Sequence, residues 1–268
     1  MRQLDAEDQE CVPVGRECAP RSQPLEQRII PCVQAAYSKA YVLIRPEIAA
    51  ILNSRLDFRH IAIEGPLGAG KSRLAERLAV RLDAAPIQDG TENPFLADFY
   101  AGRPGAAFQA QLFSLLARHR QQKQSQQPDL FNQSTICDYL FTKDKIYACL
   151  NLDDNELSIY QRLFDLLVQD VVQPDLVIYL QSPSKVLNRR LKERAKRDPR
   201  RPLPDAHYVQ ELNEAYNHFF FHYTDTPLLV VETSQFDIAW HDDALEDLSR
   251  QLRDMGLGTR YYVPRTGA

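Results

Sequence analysis

The clearest chemistry in this 268-residue chain lies in the run Gly65-Pro-Leu-Gly-Ala-Gly-Lys71-Ser72. Gly65 and Gly70 bracket four residues, and lysine and a hydroxyl follow directly, which is the spacing of a phosphate cradle. The backbone through Pro66, Leu67, Gly68 and Ala69 would turn its amides toward an anion. Lys71 would reach the β- and γ-phosphates, Ser72 would ligate Mg²⁺, and a helix N-terminus would add partial positive charge. A nucleoside triphosphate is implied. The cradle does not say whether the γ-phosphoryl goes to water or to a second substrate, so other side chains must decide. Glu92 falls just past a short β-rich run, where its carboxylate could accept the proton of an attacking hydroxyl or simply cap a helix. Gln111 and Arg118 are seven residues apart, on one face of a helix, where an amide and a guanidinium could read a base edge or lie solvated. Asp138 ends an apolar run and could hold Mg²⁺ through water.

These residues need a scaffold, and the apolar pattern predicts one. Short β-rich runs occur at His60–Glu64, Thr135–Tyr139, Leu176–Leu180 and Leu228–Val231, with Pro86–Gln88 a weaker fifth. Helical patterns at Lys71–Leu82, Pro104–Arg120, Leu140–Leu150, Glu156–Val172, Pro183–Arg197, Ala206–Tyr223 and Ala239–Met255 alternate with them. A further helical stretch, Tyr37–Leu56, is broken at Pro46. Strands alternating with helices of this length predict an α/β domain: a five-stranded parallel sheet with helices on both faces and ligands at the carboxyl ends of its strands. Residues 1–35 mix charge, proline and cysteine without periodicity and are expected to form a flexible extension, with one folded domain over 36–268. The stretch Gln121–Gln127 is expected to be an exposed loop.

Composition narrows the function classes. With 44% hydrophobic and 25% charged residues the chain is an ordinary globular protein, not a repeat or a disordered one. A formal net charge of -4 gives no global basic field for nucleic acid or an anionic membrane, so any anion site must be local. No apolar window is long enough for a membrane helix, and the acidic start MRQLDAEDQE does not match a targeting peptide, so a cytoplasmic protein is expected. The five cysteines, Cys11, Cys18, Cys32, Cys137 and Cys149, show no metal-ligand spacing and are expected to be reduced thiols.

The strings IEGPLGAGKS, ENPFLADFY, FQAQLF, CDYLFTKD and LNEAYNHFFFHYTDTPLLVV, in this order over residues 58 to 235, resemble the deoxyribonucleoside kinase family, most closely its bacterial deoxyadenosine/deoxyguanosine branch. The resemblance implies a P-loop kinase fold, usually dimeric, that takes ATP on the P-loop and a small-molecule deoxynucleoside in an adjacent cleft. It casts Glu92 as the general base at the nucleoside 5′-hydroxyl. Tyr100 would lie against the sugar 3′-hydroxyl, and Gln111, with Gln109 as its rival, would read the base together with Arg118. Asp144 matches the carboxylate that pairs with this arginine in purine- and deoxycytidine-accepting members, and Asn217 falls near a residue that contacts the 3′-hydroxyl. The run RRLKERAKRDPRR holds eight basic residues and two acidic ones. It resembles the family's lid, about 189–204, with Arg190, Arg194 and Lys196 as its phosphate cations and Arg190 and Arg194 stabilising the transferring group. The sequence departs from the family at Tyr139, where many relatives carry an arginine; Lys143 or Arg118 would have to supply that cation. Two rivals share the cradle: a nucleoside monophosphate kinase and a non-catalytic nucleotide-binding accessory subunit.

Overall fold

The computed structural model describes residues 58–90, 92–125, 134–198, 203–235 and 241–264. The expected extension over 1–35, the helical stretch Tyr37–Leu56 and the start of the folded domain lie outside them. The elements are β1 (His60–Glu64), α1 (Lys71–Leu82), β2 (Ala85–Ile87), α2 (Leu96–Tyr100), α3 (Ala106–Ser125), β3 (Thr135–Cys137), α4 (Asp144–Asn151), α5 (Asp154–Leu167), β4 (Leu176–Gln181), α6 (Ser184–Arg197), α7 (Ala206–Phe221), β5 (Leu228–Glu232), α8 (Asp242–Arg253) and β6 (Thr259–Tyr262). The strands form one parallel sheet in the order β2-β3-β1-β4-β5-β6. That is six strands against the expected five. The extra one, β6, reads TRYY, with its first three residues exposed, so it lacks the apolar run that marks a buried strand.

Parallel strands covered on both faces read as apolar runs, and Ile61–Ile63 of β1 and Leu176–Leu180 of β4 do. Alternate residues feed opposite layers. Ile61, Ile63, Leu176, Ile178 and Leu180 pack with Leu74 and Leu78 of α1, Leu187 and Leu191 of α6 and Leu245 and Leu248 of α8. Ala62, Val177 and Tyr179 face Leu212, Tyr216, Phe219 and Phe220 of α7. A third cluster joins α3, α4 and α5 through Leu115, Cys149, Leu157, Tyr160 and Phe164. Ile178, with no exposed surface between β1 and β5, carries much of the first layer. Ile178→Ala is expected to cost about 2–5 kcal/mol, read as a lower urea midpoint at unchanged slope.

Two local expectations are corrected. Helix α3 runs to Ser125, so Gln121–Ser125 continue the helix, and Gln122 is buried with Nε2 donating to the Tyr139 hydroxyl at 3.2 Å. The glutamines misled because they carry no apolar periodicity, whereas a packed polar residue still propagates a helix. Of the two described cysteines, Cys137 is a free thiol that burial pushes up to about 12, but Cys149 is disulfide-bonded, against the expectation of reduced thiols throughout.

Candidate active site

β1 ends at Glu64, and the chain turns immediately into the cradle. A Cβ on Gly65 would stand 2.8 Å from the Leu180 carbonyl oxygen, so the strand can enter the loop here only as glycine. Gly70 caps α1 at φ 96, the left-handed backbone that glycine adopts without strain. Lys71 opens α1; its Nζ donates to the carbonyls of Gly65 at 2.6 Å and Pro66 at 3.3 Å. Burial pulls its pKa down to about 8, against the opposing pull of the Glu64 carboxylate.

The carboxyl ends of β1, β2 and β3 open onto a cleft of about 720 Å³, within the range of small-molecule sites. Leu67, Lys71, Ser72, Glu92, Tyr100, Gln111, Arg118, Asp138, Asp144 and Arg194 line it, so most of the sequence-predicted residues are brought together. Gln111 is buried, with Nε2 donating to the Asp144 carbonyl at 3.0 Å, whereas Gln109 is exposed. Arg194, on the cleft side of α6, lies close enough to Tyr100 to oppose the rise that burial causes in its phenol. Glu92 is exposed at the rim.

Beyond the cradle, where only Leu67, Lys71 and Ser72 reach the lining, three expected residues are not brought to the cleft. Asn217 accepts hydrogen bonds from the Tyr179 hydroxyl at 2.9 Å and Gln181 Nε2 at 3.0 Å, which ties it to β4. Arg190 donates to the Thr233 carbonyl at 2.6 Å, beyond the end of β5. Lys196 is exposed on α6. Helix α6 covers 184–197 of the expected lid segment, and residues 199–202 lie outside the described ones.

The cleft is also lined by a residue that the sequence pattern did not mark. Asp89 follows β2, and its carboxylate accepts from Arg118 Nη2 at 2.8 Å and Nε at 3.2 Å and from Lys143 Nζ at 3.3 Å. Its own N–H donates to Asp138 Oδ1 at 2.6 Å. Burial would raise the Asp89 carboxyl, but Lys143 and Arg118 outweigh it and hold the group well below the usual carboxylate range. Arg118 also pairs with the buried Asp144, whose carboxyl burial raises despite that pairing. Tyr139 is buried, and Lys143 Nζ sits 5.5 Å from its ring centroid, so a cation does occupy the neighbourhood of the missing arginine. Glu64, Tyr147, Asn151 and Tyr208 were likewise not singled out; the last three line the cleft, with Asn151 Nδ2 donating to the Tyr208 hydroxyl at 3.2 Å. The usable signal for Asp89 was its place directly after a strand, where parallel sheets bind ligands.

The family profile described as deoxynucleoside kinase matches residues 61–255. Among curated proteins the chain is similar to deoxyguanosine kinase of Bacillus subtilis, 32% identical over 58% of this chain and 75% of the relative. It is similar too to deoxyadenosine kinase of Dictyostelium discoideum, 35% identical over 63% of this chain and 69% of the relative. Among solved structures, deoxyadenosine kinase from M. mycoides with bound dATP superposes with a TM-score of 0.58 at 27% identity, covering 72% of this chain and 97% of that one. With a parallel sheet flanked by helices and a P-loop facing a nucleoside-sized cleft, the chain belongs to the deoxynucleoside kinase family and is an enzyme that phosphorylates a nucleoside.

Proposed function

We propose that the enzyme transfers the γ-phosphoryl group of ATP to the 5′-hydroxyl of a purine deoxynucleoside, releasing ADP and the 5′-monophosphate. The supporting observation is one continuous cleft. Lys71 and Ser72 stand at its P-loop end, Asp89 and Lys143 are central, and Gln111, Arg118 and Asp144 form a polar wall on α3 and α4. The gap between them holds the transferring group. The acceptor's O–H gives its proton to a carboxylate as its oxygen bonds to the γ-phosphorus and the bond to the β-phosphate oxygen breaks. Lys71 and Arg194 neutralise charge on the transferring oxygens, with Arg190 and Lys196 further donor-side cations of α6. The Ser72 hydroxyl and Asp138 carboxylate both line the cleft, an oxygen donor set that suits Mg²⁺. Bound there, Mg²⁺ would neutralise phosphate charge.

Two carboxylates compete for the proton. Glu92 carries the family motif, but Asp89 is the one set between two cations beside the P-loop lysine's neighbours, and the geometry supports it best. Tyr100, with Tyr208 near it, bounds the sugar region; an approach of Asn217 to the 3′-hydroxyl would require it to leave Tyr179 and Gln181. At the base, Arg118 donates and Asp144 accepts, which matches a ring nitrogen next to an exocyclic amine; deoxycytidine presents the same pair. The small residues Ala107, Ala110, Ser114 and Ala117 on the α3 wall leave room that favours a purine.

A cytoplasmic homodimer completes the proposal. Among the described residues no helix is long and apolar enough to cross a membrane. Ile159 and Leu166, 57% and 69% exposed on one face of α5, supply an apolar surface for a second copy. ADP release measured with each of the four deoxynucleosides and with their monophosphates tests the function. Turnover is expected with deoxyadenosine or deoxyguanosine and not with monophosphates. Turnover with monophosphates alone would instead indicate a nucleoside monophosphate kinase, and ATP binding without any acceptor-dependent release an accessory subunit.

A further inference from the structure

Glu64 is fully buried, a position where an unpaired carboxylate is strongly disfavoured. Here it is surrounded by donors. Its Oε1 accepts from the Gly65 N–H at 2.9 Å and from the Tyr216 hydroxyl at 3.2 Å, and its Oε2 accepts from the Leu140 N–H at 2.8 Å. The same oxygens face two ammonium groups: Oε1 lies 3.8 Å from Lys71 Nζ, and Oε2 lies 3.8 Å from Lys143 Nζ. The division is by side of the cleft. Oε1 serves the start of the P-loop and its lysine; Oε2 serves the segment after β3, whose lysine reaches Asp89.

Two lysines converging on one point repel each other, and their nearest acceptors lie on opposite sides: Lys71 donates to the Gly65 and Pro66 carbonyls, Lys143 to Asp89. One buried negative charge between them fixes both and, through the two N–H groups, fixes the backbones that carry them. We propose that Glu64 is a positioning residue that sets the donor-phosphate lysine, Lys71, against the acceptor-side lysine, Lys143, and that its negative charge, not its shape, is what phosphoryl transfer requires. The inference rests on the phosphoryl-transfer reading above. It concerns the transfer step and not binding, because Glu64 itself is sealed behind the lysines by Tyr216 and the sheet.

The test separates charge from shape. Glu64→Gln keeps the shape and loses the charge; Glu64→Asp keeps the charge and is one methylene shorter. In the full-length enzyme, Glu64→Gln is expected to lower kcat by about 10²–10³, the scale for losing one preorganised electrostatic group. Dissociation constants for ATP and for the deoxynucleoside, each measured alone by calorimetry, should stay within about threefold, and Glu64→Asp should hold kcat within about tenfold of the parent. A Glu64→Gln enzyme with near-parental kcat would overturn the proposal. So would an Asp variant as impaired as the Gln variant, or a loss that falls equally on binding. If the Gln variant does not fold, the Asp variant decides alone: a loss beyond tenfold with unchanged binding overturns the charge requirement. Failure of the underlying reading is distinct, since the parent enzyme would then show no deoxynucleoside-dependent ADP release.

Discussion

Asp89→Asn is expected to lower kcat by about 10²–10⁴, the range for a positioned proton acceptor, with ATP affinity nearly unchanged. The carboxylate lies between Arg118 and Lys143, beside Asp138, and in the proposed mechanism it faces the place where donor and acceptor meet. Its proton affinity is low, because the two cations outweigh the effect of burial. That suits a reaction whose transition state is loose, in which the acceptor proton leaves late and the main requirement is to orient the hydroxyl. A second consequence follows for pH: Asp89 stays ionised well into the acid range, so kcat should not fall with its titration between about pH 5 and 8. Glu92→Gln is the companion variant. Heavy loss there with Asp89→Asn still active would assign the proton to Glu92, whose exposed position would then have to close over the substrate.

The contest between these two carboxylates shows what the sequence carries and what it does not. The cradle was legible because its geometry is local: Gly65, Gly70, Lys71 and Ser72 lie within one strand-loop-helix turn, and their spacing alone predicts that turn. β1 and β4 were legible because both faces are buried and the run is apolar. Gln111, Arg118 and Asp144 were legible through helical spacing and the resemblance together. Asp89 was not, because β2 is only Ala85–Ile87 and one residue of uncertainty at a strand end moves a carboxylate into or out of a cleft. Glu64 was hidden for a different reason. It reads as the last residue of an apolar strand, and only the fold shows that Leu140, Lys143 and Tyr216, distant in sequence, surround it. For Asn217 the sequence offered position alone, and only the fold shows the two partners on β4 that hold its side chain.

Arg118→Met is expected to destabilise the folded enzyme by about 3–5 kcal/mol near neutral pH, because it leaves the buried Asp144 without its ion-pair partner and removes one of the two cations of Asp89. Arg118 pairs with the partly buried Asp89, which Lys143 also holds, and with the almost wholly buried Asp144. Their titrations oppose each other in the parent protein. Asp89 is held below its ordinary range, so its contribution is present at neutral pH and is lost as pH falls through its folded pKa. Asp144 is raised, first by burial and despite Arg118 and Lys143, so its ionised form carries a penalty that is relieved as pH falls through the raised value. Without Arg118 the already raised Asp144 carboxyl rises further, so its protonation favours the folded state more strongly, while Asp89 keeps Lys143. The variant's deficit in urea unfolding should therefore shrink from pH 7 toward pH 5, while the parent shows no comparable gain. A deficit that stays constant with pH would mean that the loss comes from packing of the arginine stem and not from uncompensated charge. Adding Asp144→Asn to Arg118→Met extends the argument, because it removes the more deeply buried of the two charges. The double variant should recover part of the stability at pH 7, and it should not recover activity, since the donor and acceptor groups proposed to read the base are then both gone.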